Sequence, residues 1–255
     1  MAKNILFIVE GRRDESSFLI NAFKKALKLI DNDFKVYKYE ASIYSLYDRM
    51  KNEGYDSLLS FLYSVDKTIF PESFITPEDS FSSVYLLFDL DPQSNCYTKE
   101  KVKEMCEMFK DETRNGKLYL SVPMSQSIFD FTSYRQSLFN KKIYEISKIA
   151  KDYKRDSREN SFLGIKYGTK SFRAVKVEDI YSISILNMKK YCYLTDEIFN
   201  ERWVNSFSSS RLVDAELPFI ENGKVSVLCG GILLIPDYST FLLKELKRNN
   251  DNGGK

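Results

Sequence analysis

The sequence predicts an α/β fold: a Rossmann-like core with a mostly parallel sheet flanked by helices, followed by a helical C-terminal extension. Three observations carry this. The continuous apolar runs at 5–9 (ILFIV) and 84–88 (VYLLF) have the length and pattern of strands buried on both faces. Each is followed at once by an acid, Glu10 after the first and Asp89 after the second. Apolar residues at helical spacing fill the intervals, and alternating strand and helix is the signature of a parallel sheet.

The first strand is followed by a glycine turn at Gly11, so Glu10 stands at the C-terminal edge of the sheet, where α/β folds place their ligands. An unpaired carboxylate inside the strand would carry a large desolvation cost, and at the rim it carries little. Asp14 then opens a helix as its N-terminal acid, with Phe18, Leu19, Ala22, Phe23, Ala26, Leu27 and Ile30 on one face. Its lysines, Lys24, Lys25 and Lys28, read as a solvated face. Residues 34–39 alternate as a half-buried strand, 43–50 and 56–69 read as helices, and 71–80 is a proline-containing loop.

The second apolar run ends in Asp89-Leu90-Asp91-Pro92. In an extended chain residues i and i+2 point the same way, so both carboxylates face one side. Two like charges so close need a cation, and an all-oxygen site suits magnesium or manganese. Thr98 is an N-cap for a helix through Val102, Met105, Cys106 and Phe109, and 117–122 is a further strand closed by Pro123.

Glu10-Gly11 with Asp14, followed by Asp89-x-Asp91 after an apolar strand, resembles the Toprim domain of topoisomerases, primases, recombination-repair proteins and several nucleases. The resemblance covers the first half of the chain in the order strand-acid, helix, strand, helix, strand-DxD, helix, strand. It implies that Glu10 acts as acid or base at a phosphodiester and that Asp89 and Asp91 bind Mg2+ or Mn2+. It also implies that Asp14, acidic in the nuclease branch, helps to hold the metal together with Glu10. Stand-alone Toprim nucleases often carry a Pro-Met-x-Glu-Ser turn after the next strand, and here it reads Pro123-Met124-Ser125-Gln126-Ser127. Gln126 supplies no charge. A weaker second metal site, a role passed to Asp130, and an inactivating substitution all fit that departure.

Small proteins of this kind resemble overcoming-lysogenization-defect and abortive-infection effectors of anti-phage defence, some paired with an ATPase sensor. The resemblance therefore implies a Mg/Mn-dependent endonuclease acting on DNA or RNA, transfer RNA included, with an ATPase as a possible partner. The alternative is a catalytically weakened Toprim scaffold that binds nucleic acid or protein.

Composition bounds these readings. At 255 residues, 43% apolar and 29% charged, the chain is long enough for a catalytic core at 1–125 with an extension at 126–255 packed on it. The formal charge of +2 means that any nucleic-acid surface is local. Basic residues concentrate at 151–173 around Tyr153, Phe162 and Tyr167, which makes Lys166, Lys170 and Arg173 candidate phosphate contacts. Asp152, Asp156 and Glu159 dilute that charge, so a solvated linker stands beside this reading. The absence of histidine excludes Ser/His and Cys/His nucleophile schemes and histidine-ligated zinc, leaving acid–base work to carboxylates, lysine, tyrosine or metal-bound water.

Four scattered cysteines, no apolar run of membrane-spanning length and a start directly into a strand lead to the expectation of a cytoplasmic protein with reduced thiols. A homo-oligomer is compatible with the sequence. In the extension, Phe139, Ile143, Ile146 and Ile149 mark one helix, Val177, Ile180, Ile183, Ile185 and Met188 another, and Phe241, Leu242 and Leu246 a last one.

Overall fold

The structure is a computed structural model and describes residues 4–11, 14–29, 33–159, 161–167, 174–199 and 207–238. Its centre is β1 (Ile5–Glu10), whose five apolar residues are buried. β1 pairs in parallel with β2 (Phe34–Tyr39) on one side and with β3 (Ser83–Asp89) on the other. β3 pairs in parallel with a further strand, Gly116–Ser121, and the two-residue β4 (Lys110–Asp111) closes that edge antiparallel. With Gly116–Ser121 as β5, the order is β2-β1-β3-β5-β4, a mostly parallel five-stranded sheet flanked by helices.

The helices that connect these strands start where the sequence supplies caps. α1 (Asp14–Leu27) follows β1, and α2 (Ile43–Asn52), α3 (Leu58–Val65) and α4 (Lys99–Met108) are opened by Ser42, Ser57 and Thr98. Each of those hydroxyls accepts the backbone N–H three residues on, at 3.4, 3.2 and 3.2 Å. The helix expected over 56–69 is instead broken at Asp66. That residue is extended, and its carboxylate takes the Thr68 N–H at 2.9 Å and the Thr68 hydroxyl at 2.6 Å, capping a new 3-10 turn at Lys67–Ile69.

The extension departs from the sequence reading at 139–149, which is not one helix. α5 (Gln136–Asn140) ends early, and β6 (Ile143–Glu145) pairs antiparallel with β7 (Lys224–Ser226). A backbone ladder to a distant segment outweighs the helical spacing of Ile143 and Ile146, and Ile143 is exposed while Phe139 and Ile149 are buried. The chain then turns helical through α6 (Ile146–Lys148), a π-helical turn at Ile149–Tyr153, and α7 (Lys154–Glu159). α8 (Phe162–Tyr167), α9 (Val177–Leu194), α10 (Ser209–Glu221) and α11 (Leu234–Tyr238) complete it. The helix expected around Phe241, Leu242 and Leu246 lies outside the described residues.

The extension docks beside β5. Val122 and Leu228 exchange backbone hydrogen bonds at 2.7 and 2.8 Å, which lengthens the ladder past β5. At Gly230 a Cβ would lie 1.9 Å from the Leu120 carbonyl oxygen, so this close approach requires glycine. Asp237 is buried, ion-paired with Lys117, and accepts the Tyr119 hydroxyl at 2.6 Å and the Phe207 N–H at 3.1 Å. Such a pair is satisfied on every side, as a buried charge must be. One apolar core runs from Ile5 to Ile235 across both parts of the chain. Among the described residues no helix is long and apolar enough to cross a membrane.

Candidate metal centre

Because β1 and β3 are parallel neighbours, their C-terminal ends lie side by side. Glu10 ends β1, Asp89 ends β3, and the Glu10 carboxylate accepts the Asp89 N–H at 3.1 Å. The chain leaves β1 through Gly11 at φ 67°, a left-handed turn that suits glycine, and the Gly11 N–H donates to the Tyr39 carbonyl at 2.8 Å. Asp89 is held in turn by the Ser125 N–H, 2.7 Å from its carboxylate.

Asp91 reaches the same place by a route other than strand alternation. The strand has ended, Leu90 is buried with its N–H on the Ser121 carbonyl at 2.9 Å, and the Tyr44 hydroxyl donates to the Leu90 carbonyl. Asp91 itself sits at φ 43°, with its N–H on the Pro123 carbonyl at 3.0 Å. Aspartate is among the few residues that tolerate this left-handed conformation. Its carboxylate accepts the Gln93 amide at 2.9 Å. One carboxylate oxygen each from Glu10, Asp89 and Asp91 falls within 4.8 Å of the others.

Their electrostatics follow from that crowding. Burial, then the neighbouring charges of Glu10 and Asp91, push the Asp89 carboxyl well above its ordinary range, against the Ser125 N–H. Burial pushes Glu10 up to about 7, opposed by the Asp89 N–H, reinforced by the Asp91 charge and eased by Lys154. Asp91 is raised by burial and eased by Gln93 and Lys154. Carboxyls raised by burial and by one another's charge are of the kind that gather at functional sites, where a cation would relieve them. A small void of about 10 Å³ lies among Glu10, Asp89, Ser121 and Ser125, walled by Leu19, Leu87 and Phe88.

The other candidate residues divide. Asp14 begins α1, and its side chain lies outside the described residues, as do Lys170 and Arg173. Gln126 sits in the 3-10 turn Ser125–Ile128, 3% exposed, with its side-chain oxygen unpartnered. It is Ser125, through its backbone, that this turn presents to Asp89. Asp130 is buried and ion-paired with Lys142.

Lys166 is engaged with Asp179, 3.0 Å away, alongside the hydroxyls of Tyr134 at 2.8 Å and of Tyr167. Burial acts to raise the Asp179 carboxyl, but these three donors hold it below its ordinary range. Lys166 therefore ties α8 to the first turn of α9. Among the described residues, Lys154, at the start of α7, carries a charge that eases Glu10 and Asp91, and the sequence reading placed it in the basic stretch without singling it out.

No protein-family model, no curated protein and no solved structure matches this chain. The functional reading rests on the site and on the resemblance in its motifs.

Proposed function

We propose that this chain is a Toprim-type, divalent-metal-dependent nuclease, with Glu10, Asp89 and Asp91 holding Mg2+ or Mn2+. The observation that carries the reading is the gathering of three carboxylates within 4.8 Å at the C-terminal edge of a parallel sheet. The donors fit the ion. They are all oxygen, as these hard cations prefer. Two unit charges at about 5 Å repel by about 3 kcal/mol at an effective dielectric of about 20, so the fully ionised cluster calls for a counter-ion.

When bound, the ion supplies charge stabilisation at a phosphoryl oxygen and acidifies a water. The chain supplies the rest. Glu10, beside the other two acids, is the carboxylate placed to take a proton from an attacking nucleophile or return one to the leaving oxygen. The Asp89 and Ser125 N–H groups fix the two carboxylates that a substrate would meet, so orientation is built in before binding. Leu19, Leu87 and Phe88 back the acids with apolar surface on the inner side. With no histidine in the chain, acid–base work falls to groups of this kind.

Nucleic acid as substrate, DNA or RNA, follows from the resemblance, and so do a role in abortive infection, an ATPase partner and a cytoplasmic setting. The uncharged Gln126 favours one second reading, a scaffold that binds nucleic acid or protein without cutting it. Incubation of supercoiled plasmid and total RNA with the parent and Glu10→Gln, each with Mg2+ or Mn2+, decides between them. Cleavage by the parent, lost in a Glu10→Gln protein of unchanged melting temperature, supports the nuclease. Binding without cleavage by either protein supports the scaffold.

A further inference from the structure

We infer that Tyr44 is a positioning residue of this centre: its hydroxyl holds the peptide between Leu90 and Asp91 in the orientation that brings the Asp91 carboxylate to Glu10 and Asp89. The inference rests on the metal centre proposed above and deepens it.

The peptide itself is the first support. The Leu90 carbonyl and the Asp91 N–H belong to one rigid plane, because the C–N bond between them does not turn freely. Both ends of that plane are held. The Tyr44 hydroxyl, from α2, donates to the Leu90 carbonyl, and the Asp91 N–H donates to the Pro123 carbonyl at 3.0 Å. A plane gripped at both ends fixes ψ of Leu90 and φ of Asp91 together, and with them the direction in which Asp91 leaves the backbone.

The conformation held in this way is the second. Asp91 sits at φ 43°, a region that residues with a Cβ avoid. The other non-glycine residues at positive φ among the described residues are Lys28 and Asp196, each just past the end of a helix, where a left-handed residue is a common stop. Asp91 follows a strand, so no helix end accounts for it. Turning the plane over would return Asp91 to negative φ, and it would break both hydrogen bonds at once.

The setting of Tyr44 is the third. It is the second residue of α2, fully buried, with its ring edge-on to Tyr97 at 6.5 Å. Among the described residues its hydroxyl is the one donor to the Leu90 carbonyl, and that bond is buried. Without the hydroxyl a buried carbonyl is left unpaired, a cost the chain can relieve by turning the plane toward another donor. The ligand would then be lost from the cluster while the core around the tyrosine ring stays filled.

Mn2+ titration calorimetry on the whole chain, with hydrogen exchange of the Asp91 amide read by NMR in the metal-free protein, tests this without any cleavage assay. Tyr44→Phe removes the hydroxyl and keeps the ring. It is expected to bind Mn2+ at least about tenfold more weakly than the parent, and its Asp91 amide to exchange faster. Tyr47→Phe, one turn along α2 and bonded to Glu104 instead, is expected to match the parent in both. A purely structural role for the hydroxyl would lower the melting temperature of Tyr44→Phe and leave Mn2+ affinity and Asp91 exchange at parent values, which would overturn the inference. Should Tyr44→Phe fail to fold, a crystal structure of the metal-free parent decides: Asp91 at positive φ under the Tyr44 hydroxyl supports the clamp, and Asp91 at negative φ overturns it. No Mn2+ uptake by the parent would remove the metal centre, and with it any ligand for Tyr44 to position, a failure read in the parent and so distinct from one read in Tyr44→Phe alone.

Discussion

The Glu10 carboxylate accepts the backbone N–H of Asp89 at 3.1 Å, clamping the end of one strand to the end of its parallel neighbour. The two acids are thus one unit. Glu10→Gln keeps an acceptor for that N–H and removes a charge from a crowded site, whereas Glu10→Ala leaves the N–H without its partner. We predict that Glu10→Gln melts at or above the parent in the absence of metal. Glu10→Ala is expected to be the less stable of the two by about 1 kcal/mol, and both should lose most of the Mn2+-dependent rise in melting temperature. Thermal melts of the three proteins with and without Mn2+ provide the check.

The raised carboxyls reverse the usual pH dependence. Glu10 has an ordinary value of 4.5 and a folded value of about 7, so between these the folded chain keeps a proton that the unfolded chain has released. Stability of the metal-free protein therefore falls as pH rises through that window, by about 3 kcal/mol for Glu10 alone. Asp89 and Asp91 are raised as well and act in the same direction. Carboxyls held low by their partners, such as Asp66, Glu78 and Asp111, lose their contribution only at more acidic pH. Melting temperatures from pH 5 to 7.5 are expected to decline without metal and to hold or rise with saturating Mn2+. A rise without metal would contradict the electrostatic account of the site.

Asp91 combines a ligand role with a left-handed backbone at φ 43°. Glycine adopts that conformation freely, and a non-glycine residue held there costs on the order of 1–3 kcal/mol. Asp91→Gly should therefore raise the stability of the metal-free protein while abolishing its response to Mn2+. Asp91→Ala gives the complementary result, losing the metal response without the gain in stability. Denaturant unfolding of both variants separates the two effects.

The buried, unpartnered side-chain oxygen of Gln126 makes Gln126→Glu informative. A carboxylate there is costly to bury unless a cation compensates it. The variant is expected to melt below the parent without metal. Mn2+ should recover the loss, and cleavage should rise at least about tenfold, equivalent to roughly 1.4 kcal/mol of transition-state stabilisation. Unchanged cleavage beside robust Glu10-dependent activity in the parent would put Gln126 outside the catalytic set.

The parts of this fold that were legible in the sequence are those governed by local pattern. The runs at 5–9 and 84–88 are uninterrupted because both faces of β1 and β3 are covered, and an acid directly after each lands at the rim. Thr98 caps α4 because a threonine before a helix offers its hydroxyl to the third N–H onward. What was not legible depends on distant partners. Nothing within 143–145 announces a strand, since its mate is the three-residue stretch Lys224–Ser226. Asp89 and Asp91 were expected to converge by strand alternation, and instead Asp91 is set by a turn pinned to Pro123. Lys166 carries charge in the sequence but spends it on Asp179, thirteen residues on.

The central claim is that Glu10, Asp89 and Asp91 form a divalent-metal centre. Crystals of the parent soaked in MnCl2 and measured at an energy where manganese scatters anomalously test it directly. The account predicts an anomalous peak bounded by carboxylate oxygens of all three residues, absent in Glu10→Gln crystals treated identically. A fully soaked crystal with no peak at the three acids, or with manganese only elsewhere on the surface, would contradict it.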